Sequence, residues 1–85
     1  MLELDVRLGA DEALAECVRR GLAVVSERPL AGRPESRHWH LRMKDRPGTL
    51  ELTEDADRVT VKVHPRREGD WAPALARELA AMQPR

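Results

Sequence analysis

Residues 38–64 read HWHLRMKDRPGTLELTEDADRVTVKVH, and this stretch decides the fold. Apolar and polar residues alternate there in three runs, residues 39–43, 50–52 and 59–63. Alternation with a period of two is typical of a strand that buries one face. The first connection contains Pro47 followed by Gly48, the order that a type II turn requires. We therefore expect an antiparallel three-stranded meander over about 38–64, with one aliphatic face and one polar face.

The flanking segments supply a fourth strand and two helices. Residues 2–8, LELDVRL, alternate strictly and predict a half-buried strand. Apolar residues with helical spacing predict helices over about 11–20 and about 70–82. Both helices should cover the aliphatic face of the sheet. The predicted fold is therefore α+β, a two-layer sandwich with a mostly antiparallel sheet.

Capping residues and loop residues locate the ends of these elements. Asp11 and Asp70 stand where an aspartate side chain caps a helix N-terminus. Residues 22–27 remain open between a short strand, which the β-branched sequence favours, and an extension of the first helix through Gly21. Residues 28–36, RPLAGRPES, contain two prolines and a glycine and predict an irregular surface loop.

Size, charge and cysteine content restrict the class of protein. The chain has 85 residues, which predicts one domain over 1–85. Its 15 basic and 15 acidic residues balance, although residues 28–46 carry six basic and two acidic ones. Cys17 is the single cysteine and lies on the apolar stripe of the first predicted helix, so we expect a buried thiol. No segment resembles a signal peptide or a membrane span, and we expect a cytoplasmic protein without membrane contact.

The histidines raise the question of a metal site. His38 and His40 are two residues apart on a predicted strand, so both rings leave the same face. If Arg46 and Thr49 close the first turn, Glu51 faces Lys44 and His40 lies near Asp55. That register makes His38, His40 and Asp55 the candidate ligands for zinc, with Asp57 or Glu54 as a substitute for Asp55.

His64 lies far from the other two histidines in this predicted register. The alternative to a zinc site is that solvent-facing His38 and His40 form hydrogen bonds to the turn carboxylates.

The polar face also resembles a surface that follows a phosphate backbone. The candidate contact residues are Arg33, Arg37, His38, His40, Arg42, Lys44, Arg58 and Lys62. Glu51 in the middle of this face and the zero net charge of the chain count against nucleic-acid binding. The alternative is a solvated charged face.

A third candidate is an anion site at Arg66 and Arg67. Both arginines precede the start of the last predicted helix, where free backbone N–H groups attract anions. The alternative is a solvated loop that directs Trp71 into the core, with Asp70 already supplying a negative charge. For enzymatic chemistry, the chain has neither a recognisable nucleophile motif nor a glycine-rich phosphate loop.

Three stretches, SRHWHLR, PGTLELT and RREGDW, resemble a group of small, uncharacterised bacterial proteins. That group has an S-x-H-W-H-L stretch, a G-T-L-E-x-T strand and an R-x-G-x-W segment before a C-terminal helix. The resemblance covers roughly residues 28–82. It implies a compact bacterial domain without implying an activity, and it draws attention to His38, His40, Glu51, Thr53, Arg67 and Trp71.

From the sequence we therefore expect a small non-catalytic binding protein. Its contact surface is the polar sheet face with the basic segment 28–46, and its partner is a protein or a nucleic acid. Exposed strand edges favour a homodimer. The alternative interpretation is a metal- or anion-dependent enzyme or sensor centred on His38 and His40, with zinc as the metal.

Overall fold

The fold is α+β, with one antiparallel sheet and two helices. A computed structural model describes residues 1–30 and 33–84, apart from the side chains of residues 29, 30, 33 and 34. The elements in chain order are β1 (Leu2–Val6), α1 (Ala10–Arg19), β2 (Leu22–Leu30), β3 (Arg33–Met43), β4 (Leu50–Asp55), β5 (Arg58–Val63), a 3₁₀ turn (Pro65–Arg67) and α2 (Ala72–Ala81).

The five strands lie in the order β1-β5-β4-β3-β2, and every neighbouring pair is antiparallel. Helix α2 contacts β1 and β5, and helix α1 contacts β2 and β4. The predicted α+β fold with a three-stranded meander is confirmed. The sheet also contains β2, which pairs with β3 on the side away from β4.

Alternation along the strands separates the two faces of the sheet, as predicted. Trp39, Leu41, Leu52 and Val61 are at most 1% exposed and form the centre of the core. Helix α2 adds Leu79, which is fully buried. Burying aliphatic surface of this kind contributes roughly 25 cal/mol for each Å² removed from water. The face without helices carries the polar residues and remains open.

Neither helix begins with the predicted aspartate cap. Gly9 is the N-cap of α1, and Asp11 lies within the first turn. Trp71 is the N-cap of α2, and the Asp70 side chain forms an ion pair with Arg46 instead. Both aspartates are close enough to the helix N-termini to interact favourably with the helix dipole, although neither side chain caps its helix.

Residues 22–27 form a strand, which settles the alternative left open by the sequence. Gly21 has φ +93° and ends the helical segment, as glycine after a helix commonly does. The predicted irregular loop over 28–36 is wrong, because β2 and β3 continue through most of it. Prolines are tolerated here since β2 is an edge strand, and Pro34 precedes the part of β3 that pairs with β4.

Cys17 is fully buried, and burial raises the pKa of its thiol to about 11. The thiol therefore stays protonated and unreactive at neutral pH.

Neither described helix, at ten residues each, has the length and apolar character of a bilayer-spanning segment.

Candidate functional site

A row of five polar residues crosses the open face of the sheet, one from each strand. In strand order from β2 to β1 the row consists of Ser26, His40, Glu51, Lys62 and Glu3. Residues directly opposite on neighbouring strands have their Cβ atoms about 5 Å apart. The antiparallel register thus brings His40 on β3 directly beside Glu51 on β4.

Glu51 is the centre of a cluster with all three histidines of the chain. Its Oε1 atom lies 2.6 Å from His40 Nε2 and 3.3 Å from His38 Nε2. Its Oε2 atom lies 2.5 Å from His64 Nε2. His38 and His64 reach Glu51 diagonally, because each lies two residues along the chain from a direct neighbour of Glu51, with His64 just past the end of β5. We call His38, His40, Glu51 and His64 the histidine–glutamate cluster.

The outer ring nitrogens of two of these histidines contact hydroxyl groups. His40 Nδ1 lies 3.0 Å from Ser26 Oγ, and His38 Nδ1 lies 2.8 Å from Thr53 Oγ1. These contacts fix the orientation of both rings, so that both Nε2 atoms are directed at Glu51. Histidines that bind metals characteristically have such a partner on the second ring nitrogen.

The Nε2 atoms of His38 and His40 lie only 3.1 Å apart. If both Nδ1 atoms donate to their hydroxyls, both Nε2 atoms present lone pairs to each other and to the same carboxylate oxygen. Lone pairs and a negative oxygen repel at this distance unless a proton or a cation lies between them. In that tautomer the cluster favours a proton or a cation at its centre.

The carboxylate of Glu51 is held in its charged form. Its side chain is 12% exposed, and burial by itself raises the pKa of Glu51. The hydrogen bond with His40 and the electrostatic influence of His64, His40 and His38 outweigh burial, so the pKa of Glu51 lies below its ordinary value. A largely buried, ionised carboxylate is stabilised by hydrogen-bond donors and by positive partners, and the imidazoles around Glu51 are placed to act as either.

Glu51 Oε2 has an incomplete set of contacts. The atom is buried and accepts no hydrogen bond from the described residues, although His64 Nε2 lies 2.5 Å away. A protonated His64 would form an ion pair with Oε2 at this distance, and the lone pairs of Oε2 are not fully used. An under-satisfied buried carboxylate oxygen is a position that an additional cation would stabilise.

The donor atoms fit one metal ion. His38, His40 and Glu51 each place one ligand atom within 4.8 Å of the other two. A point about 2.1 Å from all three atoms, the usual length of a bond to zinc, lies about 1 Å outside their plane. The distances from His38 Nε2 to His40 Nε2 and to Glu51 Oε1 are close to the spacing of ligand atoms in a tetrahedral site. The distance between Glu51 Oε1 and His40 Nε2 is shorter and would lengthen on binding.

The predicted register, on which Asp55 was chosen as a ligand, is wrong. Glu51 pairs with His40 instead of Lys44, and on the other side it pairs with Lys62. Asp55 lies away from His40, where its Oδ1 atom accepts a hydrogen bond of 2.8 Å from Ser36 Oγ. Glu51 takes the place predicted for Asp55, and the predicted separation of His64 from the other histidines is also wrong.

The connection between β3 and β4 explains the difference in register. The last pair of these strands is Leu41 with Leu50, so the connection is longer than a two-residue turn. Asp45 and Gly48 both have positive φ within it. The shift moves each partner by an even number of residues, which changes the neighbours of Glu51 and keeps it on the polar face.

The predicted contact residues lie on both faces of the sheet. Arg37 lies on the helix side, where its guanidinium is 4.9 Å from the Trp39 ring centroid and forms an ion pair with Glu27. Arg58 and Lys62 are on the polar face, paired with the β1 carboxylates of Asp5 and Glu3. Arg42 and Lys44 are exposed, and the side chain of Arg33 lies outside the described part of the chain. Whether a partner binds this surface stays a prediction.

The predicted anion residues adjoin the histidine–glutamate cluster. Arg66 and Arg67 are exposed on the 3₁₀ turn that directly follows His64. Together with His64 and Pro65 they line a shallow depression. The resemblance to the bacterial group had drawn attention to Glu51 and Arg67, and periodicity alone assigned no role to Glu51 beyond a surface ion pair.

Comparison of the chain with protein families, with curated proteins and with solved structures finds no match.

Proposed function

We propose that this protein binds a divalent transition-metal ion through His38 Nε2, His40 Nε2 and Glu51 Oε1. The observation that carries the proposal is the convergence of these three atoms, at mutual distances of 2.6, 3.1 and 3.3 Å. Hydroxyl groups orient both imidazoles, and the carboxylate is ionised. A set of donors prearranged in this way requires little reorganisation when the ion enters.

The donor set indicates the class of metal. Two imidazoles and one carboxylate are a ligand combination found with zinc and with ferrous iron, and it leaves at least one coordination position open. The side chains of His38 and His40 are 21% and 33% exposed, so water or a small ligand reaches the open position from the solvent. Open positions of this kind occur in catalytic and ligand-sensing centres rather than in closed structural sites.

Titration of the metal-free protein with zinc, followed by calorimetry, tests the proposal. We expect one ion per chain. His40→Ala and Glu51→Gln should each weaken zinc binding by at least on the order of a hundredfold, because each removes a direct ligand. The matched control is Glu54→Gln, the same substitution at another partly buried glutamate of β4, which should bind zinc like the wild type.

Equal zinc affinity in the wild type, His40→Ala and Glu51→Gln would contradict the proposal. The cluster would then be a network of hydrogen bonds and ion pairs that shares protons and only stabilises the sheet.

The partner predicted from the sequence stays part of the proposal as a second function. The exposed side chains of Arg42 and Lys44, at the end of β3, support a contact with a protein or a nucleic acid. The cytoplasmic location expected from the sequence also stays a proposal, and the free, buried thiol of Cys17 is compatible with it.

A further inference from the structure

The two carboxylate oxygens of Glu51 have different neighbours. Oε1 lies 2.6 Å from His40 Nε2 and 3.3 Å from His38 Nε2, whereas Oε2 lies 2.5 Å from His64 Nε2. Among the described residues, the donor atoms that lie within 4.8 Å of one another belong to His38, His40 and Glu51, and His64 is not one of this group. His64 therefore contacts the proposed ligand Glu51 without belonging to the proposed set of ligands.

The contact between His64 and Glu51 is so short that the ring nitrogen must carry a hydrogen. At 2.5 Å a nitrogen lone pair and a carboxylate oxygen repel each other, whereas a nitrogen that carries a hydrogen attracts the oxygen. Oε2 accepts no hydrogen bond from the described residues, so this attraction is electrostatic and does not depend on a well-aligned hydrogen bond. A nitrogen that carries a hydrogen has no lone pair for a metal ion. In this arrangement His64 Nε2 is a partner of the carboxylate and not a ligand.

The backbone holds His64 in place directly after β5. His64 O accepts a hydrogen bond of 2.9 Å from Arg67 N–H, and Arg67 O accepts one of 2.8 Å from Thr49 N–H. Thr49 lies two residues before Glu51, so the turn that follows His64 is tied to the segment that leads into β4. The ring of His64 therefore approaches Glu51 from a fixed position, and a nitrogen 2.5 Å from Oε2 excludes water from that side of the oxygen.

We infer that His64 is a positioning residue of the proposed metal site, which engages Glu51 Oε2 so that Glu51 binds the ion through Oε1 alone. The inference rests on the proposed metal site and deepens it, because it assigns the coordination mode of the carboxylate. A carboxylate that chelated the ion with both oxygens would occupy one more coordination position. With Oε2 engaged by His64, three protein atoms bind the ion, and the next position stays open for water or a small ligand.

Visible absorption of the cobalt(II)-loaded full chain tests the inference, because four-coordinate cobalt(II) absorbs more strongly than five- or six-coordinate cobalt(II). We expect strong absorption from the wild type. His64→Ala frees Oε2 to bind the ion, so the absorption of bound cobalt should fall several-fold. His64→Gln places an amide N–H near the position of the ring N–H and should restore the absorption of the wild type.

Two further variants make the comparison specific. His64→Asn has a side chain too short to bring its amide to Oε2, so it should behave like His64→Ala and carries the test if the alanine variant does not fold. The matched control is Arg66→Ala, which changes an exposed residue of the turn that follows His64 and should keep the wild-type spectrum.

The outcomes separate the positioning role from the metal site. If cobalt binds and the His64→Ala and His64→Asn variants absorb like the wild type, the positioning role is wrong and the metal site stands. Weak absorption by the wild type, or a His64→Gln spectrum like that of His64→Ala, would also overturn the role. Loss of cobalt binding from a His64→Ala chain that circular dichroism shows to be folded would make His64 a ligand instead. If the wild type binds no cobalt, the metal site and the positioning role are both wrong.

Discussion

At the scale of single residues, Glu51 determines the chemistry of the open face. Its carboxylate separates the positive charges that three histidines carry when protonated, and it fixes the direction of three rings. The pKa of Glu51 is below its ordinary value in the folded protein. A carboxyl group with a lowered folded-state pKa stabilises the fold above its unfolded-state pKa, and this stabilisation is lost as the pH falls through the folded-state value.

This linkage predicts the acid response of the metal-free protein. The free energy of unfolding should fall as the pH decreases from the unfolded-state glutamate pKa of about 4.3 to lower values. Glu51→Gln should lack the part of this fall that comes from Glu51, so its stability should change less over the same range. Urea unfolding at a series of pH values and constant ionic strength measures both curves. Parallel curves for the wild type and Glu51→Gln would contradict the prediction, and Glu54→Gln is the matched control.

At the scale of secondary-structure elements, the connection between β3 and β4 packs against the segment that precedes α2. Gly48 has φ +114° and Gly69 has φ +57°. A Cβ atom at Gly69 would lie 2.1 Å from Pro47 O, the same oxygen that accepts a hydrogen bond of 2.8 Å from Trp71 Nε1. The contact holds the segment before α2 against the connection between β3 and β4.

Gly69→Ala should therefore destabilise the protein by about 2–3 kcal/mol, because it combines the cost of a positive φ with a clash against backbone. Gly21→Ala is the comparison, since Gly21 has φ +93° and nothing within 4 Å of an added Cβ. That variant should lose only about 1 kcal/mol. Denaturant unfolding measures the free energy of unfolding of both variants. Equal destabilisation of the two would show that the close contact with Pro47 does not contribute.

The elements themselves were predictable to different degrees. Period-two alternation identified β1, β4, β5 and the part of β3 from residue 38 onward, together with their buried apolar faces, because burial of one face imposes that period wherever the strand lies. The pairing of β3, β4 and β5 as a meander was predictable, but the register between β3 and β4 was not, since it depends on positive φ at Asp45 and Gly48 in their connection. The histidine–glutamate cluster depends on that register, and so the sequence identified His38 and His40 without their partner Glu51.

The hairpin of β2 and β3 was missed for a different reason. Proline and glycine between 28 and 36 favour a loop when residues are considered locally. Position in the sheet overrides this tendency, because only one side of an edge strand needs backbone donors. Edge position is a property of the assembled sheet and is not contained in a local pattern.

At the scale of the whole molecule, metal binding should raise the free energy of unfolding and the melting temperature. A ligand that binds only the folded state at a free concentration of about 100 times its dissociation constant adds about 2.7 kcal/mol. For a domain of this size such a gain raises the melting temperature by about 10–20 °C. Thermal unfolding followed by circular dichroism, with and without zinc, measures the shift. His40→Ala should show little or none of it, and an equal shift in that variant would mean that zinc binds elsewhere.

The edge formed by β2 has one more consequence for the molecule in solution. Val24 lies opposite Leu41 and Ser26 lies opposite His40, so Val25 is an extra residue that bulges from the strand. Val24 and Val25 are 42% and 56% exposed. A bulge interrupts the regular row of donors and acceptors that an incoming strand would use. Val25 therefore makes this apolar edge a poorer template for an incoming strand, and we expect a chain lacking this one valine to be more prone to form fibrils.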